Sequence, residues 1–146
     1  GYEAFKALLP ELIPDRVMEK LRNGGCAVDL ARFLMTVPAQ NKSCTKCPPC
    51  RLGSVQMIRL LDAIATGNGN RETLDLLIEL GDTMKTGSEC PVGKTAPDVV
   101  LFALEHFREQ FEAHILDKRC PAGICQKVVT YYTICPLRAA VPIQVR

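Results

Sequence analysis

Tryptophan is absent from this chain and aromatic residues make up only 5% of it. A core must therefore be built from aliphatic side chains, and 47% hydrophobic content over 146 residues supplies one domain of modest size. Charge of one sign is also lacking. Eighteen basic residues face 16 acidic ones, scattered along the chain for a net charge of +2, which excludes an electrostatic grip on nucleic acid or an anionic membrane. No apolar run approaches the ~18 residues of a membrane span, and the first residues lack a charged-then-apolar signal pattern. These absences lead us to expect a cytoplasmic chain. No G-x-G-x-x-G loop occurs anywhere, and no Ser-His-Asp set, catalytic carboxylate pair or phosphate loop can be assembled. The chain is expected not to be catalytic by itself.

What it does have is cysteine, eight in all. In a reducing compartment metal ligation is their better use than disulfides. Three stand in the run Cys44-Thr-Lys-Cys47-Pro-Pro-Cys50, and a fourth follows forty residues later as Cys90-Pro91. A C-x2-C-x2-C run with one remote cysteine, itself followed by proline, is a ligand pattern of a cubane iron-sulfur cluster. Zinc is the competing occupant, since four-cysteine sites also use C-x2-C pairs, although they normally pair two such knuckles. A disulfide or unliganded arrangement is the third alternative. Pro48 and Pro49 are expected to keep the cysteine run from closing early into a helix, and Lys46 and Arg51 to offset the charge of four thiolates.

Hydrophobic spacing predicts helices almost throughout. A helical hairpin is expected over 1–24, with Tyr2, Phe5, Leu8 and Leu9 on its first arm and Val17, Met18 and Leu21 on its second. A helix from Cys26 to Val37 carries Val28, Leu30 or Ala31, Leu34 and Met35, and Pro38 closes it. The polar loop 39–43 delivers the cysteines. Val55, Ile58, Leu61 and Ile64 or Ala65 mark the next helix, which Gly67-Asn68-Gly69 ends. Asn70 suits the cap of a helix with Leu74, Leu77, Ile78 and Leu80 or Gly81 inward. Thr95-Ala-Pro-Asp98 reads as the start of the longest helix, with Val100, Leu104, Phe107, Phe111 and Ile115 as its stripe. The fold class is all-α, a small antiparallel bundle holding an iron-sulfur cluster, with an irregular C-terminal tail. Its expected parts are a helical segment 1–25, a cluster domain 26–116 and a cysteine-containing extension 117–146, with the β-prone stretch Val128–Tyr132 in the last.

A second ligand set stands in the tail. His114, Cys120 and Cys125 form H-x5-C-x4-C and can supply three ligands of a tetrahedral zinc, with Cys26 the best fourth. The alternative is a small buried Cys26 and free tail cysteines. His106 reads as a surface or packing residue.

Ser43-Cys-Thr-Lys-Cys-Pro-Pro-Cys-Arg-Leu-Gly53, Cys90-Pro-Val-Gly93 and the stretch Ala103 to His114 resemble the C-terminal cluster-binding domain of the flavin-bearing subunit of NADH dehydrogenases. That subunit belongs to respiratory complex I, to NAD(P)-linked iron-only hydrogenases and to electron-bifurcating enzymes. The resemblance runs from Cys26 to Cys125. It implies that Cys44, Cys47, Cys50 and Cys90 hold a 4Fe-4S cluster carrying electrons from a flavin to further clusters. Lys118 to Cys125 is similar to the hydrogenase and bifurcating branch, in which a ferredoxin-like domain with further clusters follows. Cys135 has no companions of that kind here, and residues 1–24 resemble the segment that precedes the flavin domain. The resemblance thus implies FMN and NAD(P) only outside these residues or in a partner. It implies a multi-subunit redox complex, including a thioredoxin-like 2Fe-2S subunit and a multi-cluster or hydrogenase subunit. A zinc-stabilised interaction domain without a redox role is the alternative from another class.

Overall fold

The computed structural model describes residues 24–41 and 46–125, with side chains through Thr36 in the first stretch. Among the described residues five helices follow one another: α1 (Ala27–Asn41), α2 (Pro48–Ala65), α3 (Arg71–Gly87), α4 (Pro91–His106) and α5 (Arg108–Leu116). No strand occurs among the described residues, so the all-α expectation holds. No described helix is long and apolar enough to cross a membrane. The expected hairpin over 1–24, all but its last residue, lies outside the described residues, as do Cys44, the Val128–Tyr132 stretch and Cys135.

Side-chain contacts give the topology. Arg32 near the start of α1 reaches Asp62 near the end of α2 at 3.1 Å, so these helices run antiparallel. Gly87 at the end of α3 lies against Pro49 at the start of α2, which makes that pair antiparallel too. Lys85 meets Asp98 at 2.6 Å and Gly81 faces Leu101, so α3 and α4 are antiparallel in turn. The starts of α2 and α4 therefore fall at one end of the bundle, and the start of α1 at the other. Between the ends lies an aliphatic core in which Val28, Met35, Met57, Leu61, Ile64, Leu77, Met84 and Val100 are wholly buried, with Phe111 the one aromatic among them. Each such side chain contributes about 1.5–3 kcal/mol by leaving water.

Several local expectations give way to the structure. Pro38 does not close α1, which continues to Asn41, since proline's fixed φ is itself helical and its ring costs one donor. Pro48 and Pro49 do not delay α2 but open it, at positions whose N–H groups would be orphans in any case. The fourth helix begins at Pro91 rather than near Thr95, and Thr95 uses its hydroxyl to donate to the Pro91 carbonyl at 2.9 Å instead of capping. Pro97 then sits inside α4. The long final helix is two, broken at Phe107, whose φ of −126° and ψ of 31° leave the helical region. Ile78 faces solvent. Asn70 caps α3 as expected, accepting from the N–H of Thr73 at 2.9 Å while the Thr73 hydroxyl accepts from the Asn70 N–H.

Candidate metal centres

At one end of the bundle two cysteines cap two helices. Cys47 is the N-cap of α2 and Cys90 the N-cap of α4, each with extended φ and ψ and each followed at once by proline. Cys50 lies in the first turn of α2, buried. A helix N-terminus offers unpaired N–H groups and the positive end of the peptide dipoles, both of which favour a thiolate over a thiol. The Cys90 sulfur accepts from the Gly93 N–H at 3.5 Å. The Cys47 thiol is held below its ordinary range, chiefly by the Glu89 N–H that points at its sulfur from the neighbouring segment, with the Cys50 N–H helping against burial. Glu89 belongs to the segment that carries Cys90.

The packing around them is tight. A Cβ placed on Gly93 would lie 3.0 Å from Cys50 Cβ and 2.5 Å from Ser88 Oγ, so only glycine lets the start of α4 approach the start of α2 this closely. Ser88 is itself 3% exposed, and its hydroxyl has no hydrogen-bond partner among the described residues. Lys46 and Arg51 are exposed beside the site. A donor set of thiolates with N–H groups directed at the sulfurs, on segments that converge from remote parts of the chain, fits an iron-sulfur cluster. Cys44, the remaining ligand of the pattern, lies outside the described residues.

At the opposite end the structure gathers Cys26, His114, Cys120 and Cys125, with their ligand atoms all within 4.8 Å of one another. Cys26 Sγ stands 3.4 Å from His114 Nε2 and 3.5 Å from Cys125 Sγ. Tetrahedral zinc with Zn–S of about 2.3 Å asks for sulfurs about 3.8 Å apart, so this set suits it with little movement. The outer shell is in place as well. His114 Nδ1 is 2.6 Å from the Gln110 carbonyl, which fixes the ring and leaves Nε2 as the free ligand atom. The Gln110 side chain accepts from the Ala27 N–H at 2.8 Å and so ties α5 to the start of α1. Gly123, at φ +68°, forms the turn that brings Cys125 back beside Cys120, and its N–H donates to the Cys120 carbonyl at 3.1 Å. Lys118, in a left-handed conformation at φ 51°, anchors the tail by donating to the Gly69 carbonyl at 2.8 Å.

The four groups share their protons unequally. The Cys26 thiol is pulled down to about 4, first by the hydrogen bond from Cys125 and then, against burial, by His114 and the Asp29 N–H. Cys125 is pushed up because it donates that proton and is buried. Burial pulls His114 down, yet Cys26 and the Gln110 carbonyl outweigh it and raise the ring to about 9. Burial pushes Cys120 up, but the N–H groups of Cys125, Ile124 and Ala122 together draw it lower. A metal bound here would have to displace the imidazole proton, so its binding would release protons.

His106 is apart from both centres, exposed and stacked on Phe102 with centroids 3.8 Å apart. Gln110, the Glu89 amide and Ser88 escaped the sequence reading. Backbone donors leave no trace in side-chain identity, and only the position of Ser88 two residues before Cys90 hints at its place.

Comparison with known proteins bears on the first centre. The family model described as the NADH-ubiquinone oxidoreductase-F iron-sulfur binding region matches residues 29–114. The NADP-reducing hydrogenase subunit HndC of Solidesulfovibrio fructosivorans is 38% identical over 113 residues, 77% of this chain and 23% of that one. One NADH-quinone oxidoreductase subunit of Streptomyces coelicolor is 37% identical over 81 residues, covering 56% of this chain and 18% of that one. The NADP(+)-dependent formate dehydrogenase subunit beta of Moorella thermoacetica is 33% identical over 99 residues, 66% of this chain and 14% of its own length. The chain thus spans a quarter or less of the length of these relatives. Cys26, Cys120 and Cys125 fall outside the family match, whereas Cys47, Cys50 and Cys90 fall within it. On a match of that extent the chain belongs to the family of NADH-ubiquinone oxidoreductase-F iron-sulfur binding regions.

Proposed function

We propose that this chain is an electron-transfer module that carries a 4Fe-4S cluster on Cys44, Cys47, Cys50 and Cys90, within a multi-subunit NAD(P)-linked oxidoreductase or hydrogenase. Such a cluster supplies one-electron storage between a two-electron carrier and further one-electron carriers. The observation that carries the proposal is the close approach of the two segments: a Cβ on Gly93, three residues after Cys90, would stand only 3.0 Å from Cys50 Cβ in the cysteine run. The flavin and NAD(P) belong to other segments or to a partner, and electrons pass from the flavin through this module to further clusters. The names of the relatives, those of a hydrogenase and of NADH-quinone oxidoreductases among them, support that setting. The second centre is a structural zinc on Cys26, His114, Cys120 and Cys125, closed by four ligands and without an open position for chemistry.

Iron, acid-labile sulfide and zinc measured per chain test both assignments. Four irons with four sulfides, one zinc and a broad absorbance near ~400 nm that dithionite bleaches are expected. Cys47→Ser or Cys90→Ser should remove the iron signal alone. A colourless protein holding zinc and no iron would instead establish the interaction-domain alternative.

A further inference from the structure

The hydroxyl of Ser88 is the one buried side-chain oxygen or nitrogen without a partner among the described residues. Its own backbone is satisfied: Ser88 ends α3, and its N–H donates to the Met84 carbonyl at 3.0 Å. The side chain is enclosed, two residues before Cys90 and one before the amide that serves Cys47. Its oxygen lies 2.5 Å from the point where a Gly93 Cβ would stand, and that point is 3.0 Å from Cys50 Cβ. The missing Cβ of Gly93 therefore leaves a space shared by this hydroxyl and the Cys50 side chain. A buried hydroxyl with an unmade hydrogen bond is costly, and such groups persist where a ligand completes them. The acceptors a cluster brings are sulfurs, and a hydroxyl can rotate its proton to suit them.

We infer that Ser88 donates its hydroxyl hydrogen bond to the sulfur shell of the cluster, to a bridging sulfide or the Cys50 sulfur, and so sets its reduction potential. This rests on the 4Fe-4S assignment above. A donor to sulfur stabilises the reduced, more negative cluster more than the oxidised one, so it raises the potential. Ser88 acts through the ligands and sulfides and is a positioning residue.

The test is a redox titration of the reduced-cluster electron paramagnetic resonance signal in the complete chain, comparing Ser88→Ala with the unmodified protein at equal iron content. Loss of the hydroxyl should lower the ratio of reduced to oxidised cluster at a fixed potential by up to about tenfold, which for a one-electron couple is a shift of about 59 mV downward. Should Ser88→Ala fail to assemble, the Ser88→Thr and Ser88→Val pair carries the comparison, since both have the same shape and only threonine keeps the hydroxyl. Threonine should hold the higher potential of the two. Hydrogen–deuterium exchange should also remove a proton coupling in the unmodified protein that the alanine variant lacks from the start. Equal potentials and equal couplings in clusters of full iron content overturn the inference while leaving the cluster assignment standing. An unmodified protein without iron overturns both.

Discussion

Gly93→Ala is the substitution the structure judges most severely at the cluster end. The added Cβ would sit 2.5 Å from Ser88 Oγ, 2.6 Å from Ser88 Cβ and 3.0 Å from Cys50 Cβ. Ordinary carbon–carbon contact is about 3.5–4.0 Å, so Ser88 must retreat by about 1 Å and Cys50 by at least about 0.5 Å. Neither can do so by swinging a flexible tip, because a Cβ moves only with its backbone. The start of α4 must then back away from the start of α2, and with it Cys90 from Cys50. Metal–ligand distances tolerate only about 0.2 Å, so a displacement of this size is felt first as lost cluster. Overpacking costs about 1–3 kcal/mol, and at about 2 kcal/mol the melting temperature of a domain this size falls by about 4–8 °C.

The assay is iron and sulfide per chain beside a thermal melt, with zinc per chain as the internal control. Iron should fall well below the unmodified level and zinc should stay, since the second centre lies at the other end of the bundle. Full iron content with an unchanged melt would refute the packing argument. Equal loss of iron and zinc would show general unfolding and refute it differently.

Cys120→Ala should release about one zinc per chain and open the tail to proteolysis while the iron signal stays intact, as metal analysis and limited digestion will show. Asn70→Ala removes the reciprocal cap of α3 and should cost about 1 kcal/mol, read as a shift in urea midpoint without a change in slope. Leu77→Ala, at a wholly buried position, should cost about 2–5 kcal/mol by the same measurement. Asp62 is raised above the ordinary carboxylate value by burial, which outweighs the Arg32 hydrogen bond and charge. Its contribution to stability is therefore whole below the unfolded value and declines as pH rises through the folded one, so Asp62→Asn should lessen the loss of stability on that rise. An identical pH profile in the variant would count against this.

Much of the fold could be read from apolar spacing, and what could not is mostly proline. Val28, Leu34, Leu61 and Leu77 are core because three- and four-residue steps place them on one stripe. Pro38 and Pro97 misled because a proline breaks a helix only when the lost donor and the ring clash cost more than the packing on either side returns, and packing has no local signature. Phe107 keeps the apolar period yet breaks the helix, since the period reports which face is buried and says nothing of a bend. Cys26 stands 88 residues from His114, and the structure nonetheless places the two 3.4 Å apart. Chemistry made that pairing legible: few residues serve a tetrahedral site, so candidates can be matched across any sequence distance. Gln110 was illegible for the converse reason, since glutamine performs many tasks and only the fold shows this one.

The positions of the two centres decide how they can influence each other. Helix α4 has 16 residues, which at 1.5 Å per residue makes it about 24 Å long, and Cys90 caps its start while Phe107 closes its end. His114 lies beyond that end, on α5, and Cys26 stands at the start of α1, the end remote from the cysteine run. A redox-inert zinc bound there, as proposed, would neither relay an electron nor share a ligand with the proposed cluster. What it fixes is the exit of the chain: Cys120 and Cys125 bind the tail to α1 through Cys26, and Lys118 holds it to the loop before α3. Cys125, the last described residue, therefore lies at the end of the bundle opposite the cysteine run. Cutting the zinc clamp with Cys120→Ala should then change the rate of electron delivery to a downstream acceptor while the potential of the cluster, titrated in the same protein, stays where it was. A potential that moved with the clamp would place the two centres in closer contact than this topology allows.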